Sequence, residues 1–492
     1  MGYLEICLVV VLIAAWYYWT CFHFWKRRGV VGPRPAPIFG NGKDLMFGKI
    51  SLAEYAHQLY TRYRNEEMVG LYLPSPALLL IDTERIREVL IKNFSSFMDR
   101  GIGVYEKTDP TTMNLVNLEP ERWRPLRIKL NTAFTTGKMK QMFPLILECN
   151  QMFEKRLSKS VDKGEPIDVR ALSARYTMDV ICSCAFGMDI QALDDMIVGI
   201  LRGSTNFNLE WHIRHKMRIF APWLYNLMGY VVSEKVLSPF FLRILKDTAK
   251  LREENNMHMT DLLQVILDIR KHPESMSDIQ ISDELLSAQV CMFMIVGYET
   301  SATTMGNAMY ELARNHEIQD KLRAEIREYY AKSNGNLEYE DVKKLKYLDQ
   351  VYQETLRMYP VLNTIQRKSV TDYTFKNSNI TIPKGTIIHI PYYSIQRDPA
   401  YYPDPDKFDP ERFSDEAVTS RNSMHFIAFG DGPRNCIGKR FATYETKLGL
   451  ITFFRNYKVD VCEKTTSYKF DPNHVLLAPI GGIHLKVTRV EY

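Results

Sequence analysis

The stretch Phe429-Gly-Asp-Gly-Pro-Arg-Asn-Cys-Ile-Gly438 decides the fold, because it sets one cysteine, Cys436, among three glycines just before a helical run. A glycine has no Cβ, so the backbone can pass close to a large, flat group at these positions. A helix start favours the thiolate form of a nearby cysteine through its free N–H groups and its dipole. A lone cysteine is more often a small buried side chain. An anionic sulfur in a tight glycine loop nevertheless suits iron ligation.

The overall composition is that of a globular protein. Of the 492 residues, 46% are hydrophobic and 25% are charged, which argues against disorder. The formal net charge of +5 is small for this length and argues against a dedicated nucleic-acid-binding protein. The eight cysteines include no C-x-x-C pair and no framework spacing, so we expect reduced thiols.

Residues 1–28 have the pattern of a membrane anchor. Ile6 to Trp25 is about 20 residues without a formal charge, which is long enough to cross a hydrocarbon core. Lys26-Arg27-Arg28 follow directly and Glu5 precedes, which is the reverse of the charge order in a cleaved signal peptide. The positive-inside rule therefore predicts a retained, single-pass anchor with the rest of the chain on the cytoplasmic side.

Residues 29–41 follow as a proline-rich hinge. Gly32-Pro-Arg-Pro-Ala-Pro-Ile-Phe-Gly40 cannot form a helix, because proline removes a backbone donor and restrains the residue before it. We interpret this segment as a stiff, extended connector. No linker interrupts the chain beyond it, so residues 42–492 are predicted to form one large domain.

Long helical patterns outnumber short strand patterns in this domain, which predicts a mostly α fold with a minor β part (α+β). The predicted helices include Leu52–Tyr63, Thr83–Lys92, Asp168–Ala185 and Ser282–Asn315. The predicted hairpins join Met68–Tyr72 to Ala77–Ile81 through Pro74-Ser75-Pro76, and Ile380–Ile382 to Thr386–Ile390 through Pro383-Lys-Gly385.

An acid and a hydroxyl stand side by side within the apolar helix that begins at Ser282. Gly297-Tyr-Glu-Thr-Ser301 places Glu299 and Thr300 in a stretch of Met, Phe, Val and Ile, where polar groups are costly to bury without partners. Two interpretations of Thr300 stay open. It is either a catalytic hydroxyl or a threonine that bonds to the carbonyl four residues earlier and merely bends the helix.

Two further motifs combine charge with a helix. Glu354-Thr-Leu-Arg357 places an acid and an arginine three residues apart on one helix face. As an exposed pair they would contribute under about 1 kcal/mol. Trp123-Arg-Pro-Leu-Arg127 offers an indole N–H and a guanidinium group, and guanidinium groups bind carboxylates bidentately.

Together these motifs resemble the cytochromes P-450, the family of haem-thiolate monooxygenases. Phe429–Gly438 matches the family signature Phe-x-x-Gly-x-Arg-x-Cys-x-Gly at every defining position. The resemblance spans essentially Gly32 to Val490, plus the anchor. It implies haem b as the cofactor, with Cys436 as the axial thiolate ligand of the iron and Arg434 beside a haem propionate.

The resemblance also implies roles for the acid and the hydroxyl. In the family, the pattern [Ala/Gly]-Gly-x-[Asp/Glu]-Thr crosses the distal haem face, where the threonine contacts dioxygen and the acid relays protons. Gly297, Glu299 and Thr300 match this pattern. Val296 departs from it, because alanine or glycine is usual there, and its extra methyl groups would narrow the oxygen pocket.

Other residues are assigned by the resemblance alone. Glu354 and Arg357, with Arg412 of the Pro410-Glu-Arg-Phe413 segment, are expected to form a buried charge network that supports the cysteine loop. A solvated arginine is the alternative for each arginine that the resemblance assigns to the propionates. The further residues expected to hold the haem propionates are Trp123, Arg127, Arg100 and Arg367.

The chain contains no dinucleotide-binding fingerprint, so its electrons must come from another protein. The resemblance implies an NADPH-dependent flavoprotein reductase, with a b-type cytochrome as a second candidate donor, docked on a basic proximal face. It also implies the endoplasmic reticulum membrane as the location. The basic residues near these motifs are Arg122, Arg124, Lys129, Lys138, Lys140, Lys439 and Arg440.

Within the family, Tyr298-Glu-Thr-Ser and Phe134-Thr-Thr-Gly-Lys-Met-Lys140 resemble the insect detoxification branch, which is related to vertebrate drug-metabolising members. The expected reaction inserts one oxygen atom of O2 into a small apolar substrate, either a xenobiotic or an endogenous lipophile. The candidate substrate contacts lie in segments 100–119, 201–230, 292–300, 361–365 and 476–480.

Two other functions stay open at this stage. One is a haem-thiolate isomerase or dehydratase, which rearranges a peroxide without external electrons. The other is a non-enzymatic haem-binding membrane protein. The adjacent Glu299 and Thr300 and the basic proximal residues favour the monooxygenase, because a scaffold protein leaves the burial cost of the acid and the hydroxyl unexplained.

Overall fold

The computed structural model describes residues 3–37, 39–73, 75–188, 209–228, 231, 235–276, 279–472, 474 and 476–490. Its helices are α1 (Tyr3–Phe24), α2 (Lys43–Met46), α3 (Leu52–Arg62), α4 (Thr83–Arg87), α5 (Pro120–Leu130), α6 (Thr136–Val161), α7 (Val169–Phe186), α8 (Leu209–Phe220), α9 (Pro222–Met228), α10 (Leu237–Glu254), α11 (Leu262–Lys271), α12 (Asp283–Arg314), α13 (His316–Lys332), α14 (Lys346–Met358), α15 (Tyr392–Ile395), α16 (Asp415–Ser420) and α17 (Lys439–Asn456).

The strands are short and sort into separate small sheets. They are β1 (Met68–Tyr72), β2 (Pro76–Leu80), β3 (Ile167–Asp168), β4 (Ile365–Lys368), β5 (Tyr373–Thr374), β6 (Thr381–Ile382), β7 (Ile387–Ile390), β8 (Tyr457–Asp460) and β9 (His484–Arg489). The orders are β1-β2-β7-β4, β3-β9-β8 and β5-β6. Strands β2 and β7 run parallel, whereas the other pairs are antiparallel. The fold is therefore predominantly helical with a minor β part, as the sequence predicts.

Helix α12 forms the centre of the helical core. It begins where the side chain of Ser282 accepts the N–H of Leu285, and it is buried along most of its length between α7 and α10. Gly297 allows the close contact with α7, because a Cβ there would lie 2.7 Å from the side chain of Ile181. Between its two ends, α12 is exposed only in the stretch around Val296, which opens a cleft in front of the helix.

Most of the predicted elements are confirmed, with small shifts at their ends. Helix α7 has both predicted caps: Asp168 accepts two N–H groups at its start, and Gly187 ends it in the left-handed conformation. The predicted helix over Thr83–Lys92 is an α-helix to Arg87 and continues as a π-helix over Glu88–Lys92. The first hairpin forms as β1 and β2, although Pro74 lies outside the described residues.

The second predicted hairpin is wrong. Strand β6 pairs with β5, whereas β7 pairs with β2 and β4 in a different sheet. Both β6 and β7 form, but the turn that starts at Pro383 connects the two-stranded sheet to the four-stranded sheet. Strand patterns indicate extended backbone, and long-range partners decide the pairing.

The N-terminal helix α1 is largely exposed and apolar, and it is long enough to cross a membrane. Helix α12 passes the same test of length and composition, but it is mostly buried and therefore belongs to the core. Trp25, the last residue of the predicted span, is buried against β1, and its indole N–H donates to the Leu71 carbonyl at 2.6 Å. The hinge residues 29–37 and 39–41 are non-helical, and Ile38 lies outside the described residues.

Candidate active site

The cysteine loop is a tight turn held by backbone hydrogen bonds. The Cys436 N–H donates to the Phe429 carbonyl at 2.9 Å, and α17 begins three residues after the cysteine. Gly432 has φ +75°, and a Cβ there would lie 2.0 Å from the Leu90 carbonyl oxygen, so glycine is required by the turn and by its packing. Gly438 instead has no heavy atom of a described residue within 4 Å of its Cβ position, which leaves room for a large group beside the loop.

The side chain of Cys436 is exposed, yet protein surrounds it closely enough for burial to raise the pKa of its thiol. The Gly438 N–H and the charges of Arg127, Arg100 and Lys439 act in the opposite direction and favour the thiolate. Exposure combined with a dense surrounding is typical of a group that lines an internal cleft. The start of α17 therefore favours the thiolate, as predicted, but burial has the larger effect on the pKa of Cys436.

Arginine side chains converge on this loop from distant parts of the chain. Arg100 donates to the Arg434 carbonyl at 2.9 Å, and Arg127 donates to the Asn435 carbonyl at 2.9 Å. Arg434 donates to the Leu118 carbonyl at 2.7 Å. These bonds fix the backbone just before Cys436 and concentrate positive charge beside it.

The charges in this cluster are not neutralised by paired carboxylates among the described residues. Burial and the like charge of Arg100 lower the pKa of Arg434 to about 9. Burial and the like charge of Arg127 lower the pKa of Arg100 to about 10. Arg367 is 1% exposed, and burial together with the like charges of Arg100 and Arg434 lowers its pKa well below the usual value of an arginine. The buried Nε atoms of Arg127, Arg367 and Arg434 also have no hydrogen-bond partner in the part of the chain that the structure describes.

This donor set fits a dianionic group. Buried charges in proteins are normally paired, and planar guanidinium forks match carboxylates. Two carboxylates on one flat ligand would satisfy these arginines, and the open space at Gly438 lies in the same loop. The residues present therefore fit haem, whose propionates Arg100, Arg127, Arg367 and Arg434 would hold.

On α12, the predicted acid Glu299 is buried and paired. Its carboxylate forms an ion pair with Arg170, which lies at the start of α7. Arg170 also approaches the Thr303 hydroxyl, one turn further along α12, with its Nε at 3.4 Å. No sequence motif pointed to Arg170. Its pairing depends on the packing of α7 against α12, which is not readable from a single helix.

The predicted hydroxyl, Thr300, lies on a different face from Glu299. Thr300 is partly exposed to the cleft, and its hydroxyl donates to the Val296 carbonyl at 2.8 Å. The structure thus contains the hydrogen bond to the carbonyl four residues earlier that the second interpretation of Thr300 predicts. It does not exclude the catalytic interpretation, because a hydroxyl that donates to a carbonyl keeps lone pairs free to accept. Val296 is 43% exposed, so its methyl groups border the same cleft.

The predicted charge network behind the cysteine loop is confirmed. Glu354 and Arg357 are both 0% exposed and form two hydrogen bonds of 2.7 and 2.8 Å. Arg412 completes the network, with its Nε 3.6 Å from a Glu354 oxygen. Arg357 also donates to the carbonyls of Gln396 and Pro405, so one side chain ties together three segments.

Some of the basic residues predicted to bind a redox partner are instead paired with carboxylates of this chain. Arg122 forms ion pairs with Glu106 and Glu119, and Lys140 pairs with Glu340. Arg440 donates to the Thr136 hydroxyl at 3.2 Å, which brings the starts of α17 and α6 together. Three cations lie on this junction: Lys138, Lys439 and Arg440.

Comparison with known proteins assigns this arrangement to a family. The family model described as Cytochrome P450 matches residues 30–487. The chain belongs to the cytochrome P450 family. Cytochrome P450 6A1 of Musca domestica is 37% identical over 498 residues, which cover 98% of this chain and 97% of that protein. Cytochrome P450 6a2 of Drosophila melanogaster is 35% identical over 509 residues, covering 98% and 99%. Cytochrome P450 6B1 of Papilio polyxenes is 35% identical over 502 residues, covering 99% and 100%.

This P450 is a monooxygenase that binds haem through a cysteine thiolate. The family assignment does not favour the peroxide isomerase or the non-enzymatic haem protein. The resemblance to insect members is confirmed by these relatives. A P450 needs a redox partner and a substrate, and the N-terminal apolar helix supports membrane anchoring.

Proposed function

We propose that this P450 hydroxylates small apolar substrates, with Cys436 as the thiolate ligand of haem b iron. The overall reaction is RH + O2 + NADPH + H+ → ROH + H2O + NADP+. The observation that carries the assignment of the site is a cluster of arginines beside the cysteine loop. Arg367 and Arg434 are buried and Arg100 is partly buried, and none of them has a paired carboxylate among the described residues. Such a cluster is costly unless a dianionic ligand joins it.

Haem iron bound to a cysteine thiolate supplies dioxygen activation and O–O cleavage. The protein supplies position, charge and protons. Arg434, stacked on the face of Trp123, and Arg100 orient the propionates, and the backbone turn at Gly432 fixes the position of Cys436. On the cleft side, the Thr300 hydroxyl accepts and donates a hydrogen bond, and Glu299 passes protons to it.

The substrate is proposed to lie in the cleft in front of Val296. Several predicted contact segments expose an apolar side chain, namely Ile102, Val296, Leu362 and Ile480. Two of these segments are joined, because the Leu477 N–H donates to the Val361 carbonyl at 2.8 Å. An apolar lining of this kind selects a lipophile, either a xenobiotic or an endogenous compound. Of the segment 201–230, residues 201–208, 229 and 230 lie outside the described residues.

Electrons are proposed to come from an NADPH-dependent flavoprotein reductase, or from a b-type cytochrome, at the junction of α6 and α17. Lys138, Lys439 and Arg440 offer positive charge there for an acidic partner.

We further propose the endoplasmic reticulum membrane as the location. In that arrangement residues 1–28 form a single-pass anchor, 29–41 a hinge, and 42–492 a catalytic domain on the cytoplasmic side.

The test is oxygen uptake and product formation by the haem-loaded full chain in lipid vesicles, with reductase and NADPH. A library of pesticides, plant toxins, fatty acids and steroids, prescreened by binding spectra, supplies the substrates. We expect product that depends on NADPH. Rearrangement of a peroxide without NADPH, combined with no NADPH-dependent product from any spectral ligand, would favour the isomerase instead. An R440E variant should lower the rate at subsaturating reductase, whereas E340Q should not.

A further inference from the structure

Four polar side chains recur at every fourth residue along α12, and we call this set the α12 stripe. Residues four apart lie on one helix face, and twelve residues span about 18 Å. All four are buried in an otherwise largely apolar helix, so their presence requires a reason beyond packing. The members of the α12 stripe are Glu299, Thr303, Asn307 and Glu311.

The inner end of the α12 stripe adjoins the proposed reaction site. Glu299 is the chain neighbour of Thr300, whose hydroxyl borders the cleft. Arg170 holds the Glu299 carboxylate by an ion pair and reaches the Thr303 oxygen at 3.4 Å. Arg170 is therefore a positioning residue that fixes the acid between Thr300 and the rest of the stripe.

The outer end of the α12 stripe reaches the protein surface. Glu311 accepts a hydrogen bond from the Tyr359 hydroxyl, and it pairs at 3.4 Å with Arg314, whose side chain is half exposed. Further in, the Tyr468 hydroxyl donates to the Asn307 side-chain oxygen at 2.9 Å. The stripe is thus lined by polar groups from one end to the other.

Two donors in the middle of the stripe have no acceptor among the described residues. The side-chain nitrogen of Asn307 is buried without a hydrogen-bond partner. The Thr303 hydroxyl accepts from Arg170, but its own hydrogen reaches no acceptor in the described chain. Side chains one turn apart are separated by about 5–6 Å, which is the span of one water that makes two hydrogen bonds of about 2.8 Å. Buried donors of this kind are normally satisfied by ordered water.

We propose that the α12 stripe, completed by water between Thr303 and Asn307, conducts protons from the surface near Arg314 to Glu299 and on to Thr300. The proposal rests on the proposed function, in which two protons join one oxygen atom of O2 to form water. The Glu311 and Glu299 carboxyl groups, the ordered water and the Thr303 hydroxyl each take one proton from behind and pass one forward, so none of them changes its charge over a turnover. The Asn307 amide keeps its own protons and holds the water in place. The protons enter from solvent beside Glu311.

The test compares two adjacent, buried threonines in the haem-loaded full chain with reductase and substrate. Thr303→Val removes the stripe hydroxyl at nearly constant volume. Thr304→Val is the matched control, because that hydroxyl donates to the Thr300 carbonyl at 2.9 Å and lies off the stripe. We expect Thr303→Val to lower kcat about tenfold. This loss is smaller than the roughly 10²–10⁴-fold that a positioned general acid or base contributes. The solvent isotope effect on kcat should rise, because proton supply becomes limiting. Thr304→Val should change neither quantity.

A second readout is independent of turnover. A crystal structure of the haem-loaded protein should place an ordered water within hydrogen-bond distance of the Thr303 oxygen and the Asn307 nitrogen. If Thr303→Val folds poorly, Asn307→Leu tests the same step, with Tyr468→Phe as the control for its lost hydrogen bond. A dry stripe, or an unchanged kcat and isotope effect in both stripe variants, would overturn the proposal. A wild type without NADPH-dependent product would instead overturn the proposed function.

Discussion

The guanidinium group of Arg434 lies 4.2 Å from the ring centroid of Trp123, and both side chains are buried. The tryptophan therefore presents its face to a charge, whereas the sequence motif suggested only an indole N–H donor. A desolvated cation on an indole face gains about 2 kcal/mol. This contact helps to hold an arginine that has no paired carboxylate among the described residues.

The arginine cluster should affect the apoprotein and the haem-loaded protein in opposite directions. Arg367→Met removes a buried charge, so we expect the unfolding free energy of the apoprotein to rise by about 1–4 kcal/mol. The same change should speed haem loss severalfold, because a propionate loses its partner. Chemical unfolding and transfer of haem to an acceptor globin measure the two quantities. Lys368→Met, in the same strand but partly exposed, is the control, and equal effects of both variants would contradict the model of the cluster.

Cys436→Ser should abolish the red-shifted absorption band of the reduced carbon monoxide complex, because the thiolate ligand produces that band. Cys462→Ser is the matched control, since Cys462 lies in a loop near β9 and should leave the band unchanged. Retention of both the band and turnover by Cys436→Ser would mean that another residue ligates the iron.

Breaking the buried pair of Glu354 and Arg357 should impair folding rather than chemistry. Glu354→Ala or Arg357→Ala leaves a buried charge without its partner, and we expect a loss of about 3–5 kcal/mol and little haem-loaded protein. The exposed pair of Glu340 and Lys343 has the same spacing, so Lys343→Ala should cost under about 1 kcal/mol. Thermal midpoints and haem content per chain decide the comparison. Normal values for both buried variants would refute the structural role.

Thr300→Ala should uncouple the reaction. We expect haem content, the carbon monoxide band and substrate binding to stay nearly unchanged, because Thr300 borders the cleft and, among the described residues, its hydroxyl bonds only within its own helix. NADPH should still be consumed, but hydrogen peroxide should replace the hydroxylated product. Product and peroxide per NADPH are the measurement. Unchanged coupling would mean that water or substrate carries the protons at this point.

Val296→Ala should act on oxygen rather than on stability. Val296 is half exposed at the cleft, so removing two methyl groups leaves little cavity in the core and should cost under about 1 kcal/mol. If its methyl groups crowd the oxygen pocket, the apparent oxygen affinity or the coupling should change more than the thermal midpoint. Val290, which is fully buried in the same helix, provides the control. Val290→Ala should change the thermal midpoint more than the apparent oxygen affinity or the coupling. A Val296→Ala variant with altered stability and unaltered oxygen use would refute the crowding.

Short-range patterns in the sequence determined much of this protein. The cysteine loop, the caps of α7 and the start of α12 at Ser282 depend on a few neighbouring residues, so they can be predicted locally. The mostly α fold and the exposed N-terminal helix follow from the same patterns. The pairing of Glu354 with Arg357 was also predictable, because residues three apart share a helix face.

Only the tertiary structure decided which residues meet across the chain. Arg100, Arg367 and Arg434 are far apart in sequence, and they meet because the segment around Arg100, strand β4 and the cysteine loop pack together. The pairing of Arg170 with Glu299 requires α7 to pack on α12, and the separation of β6 from β7 depends on partners elsewhere in the chain. Periodicity and spacing specify local backbone, whereas burial and pairing arise from long-range contacts that no single segment encodes.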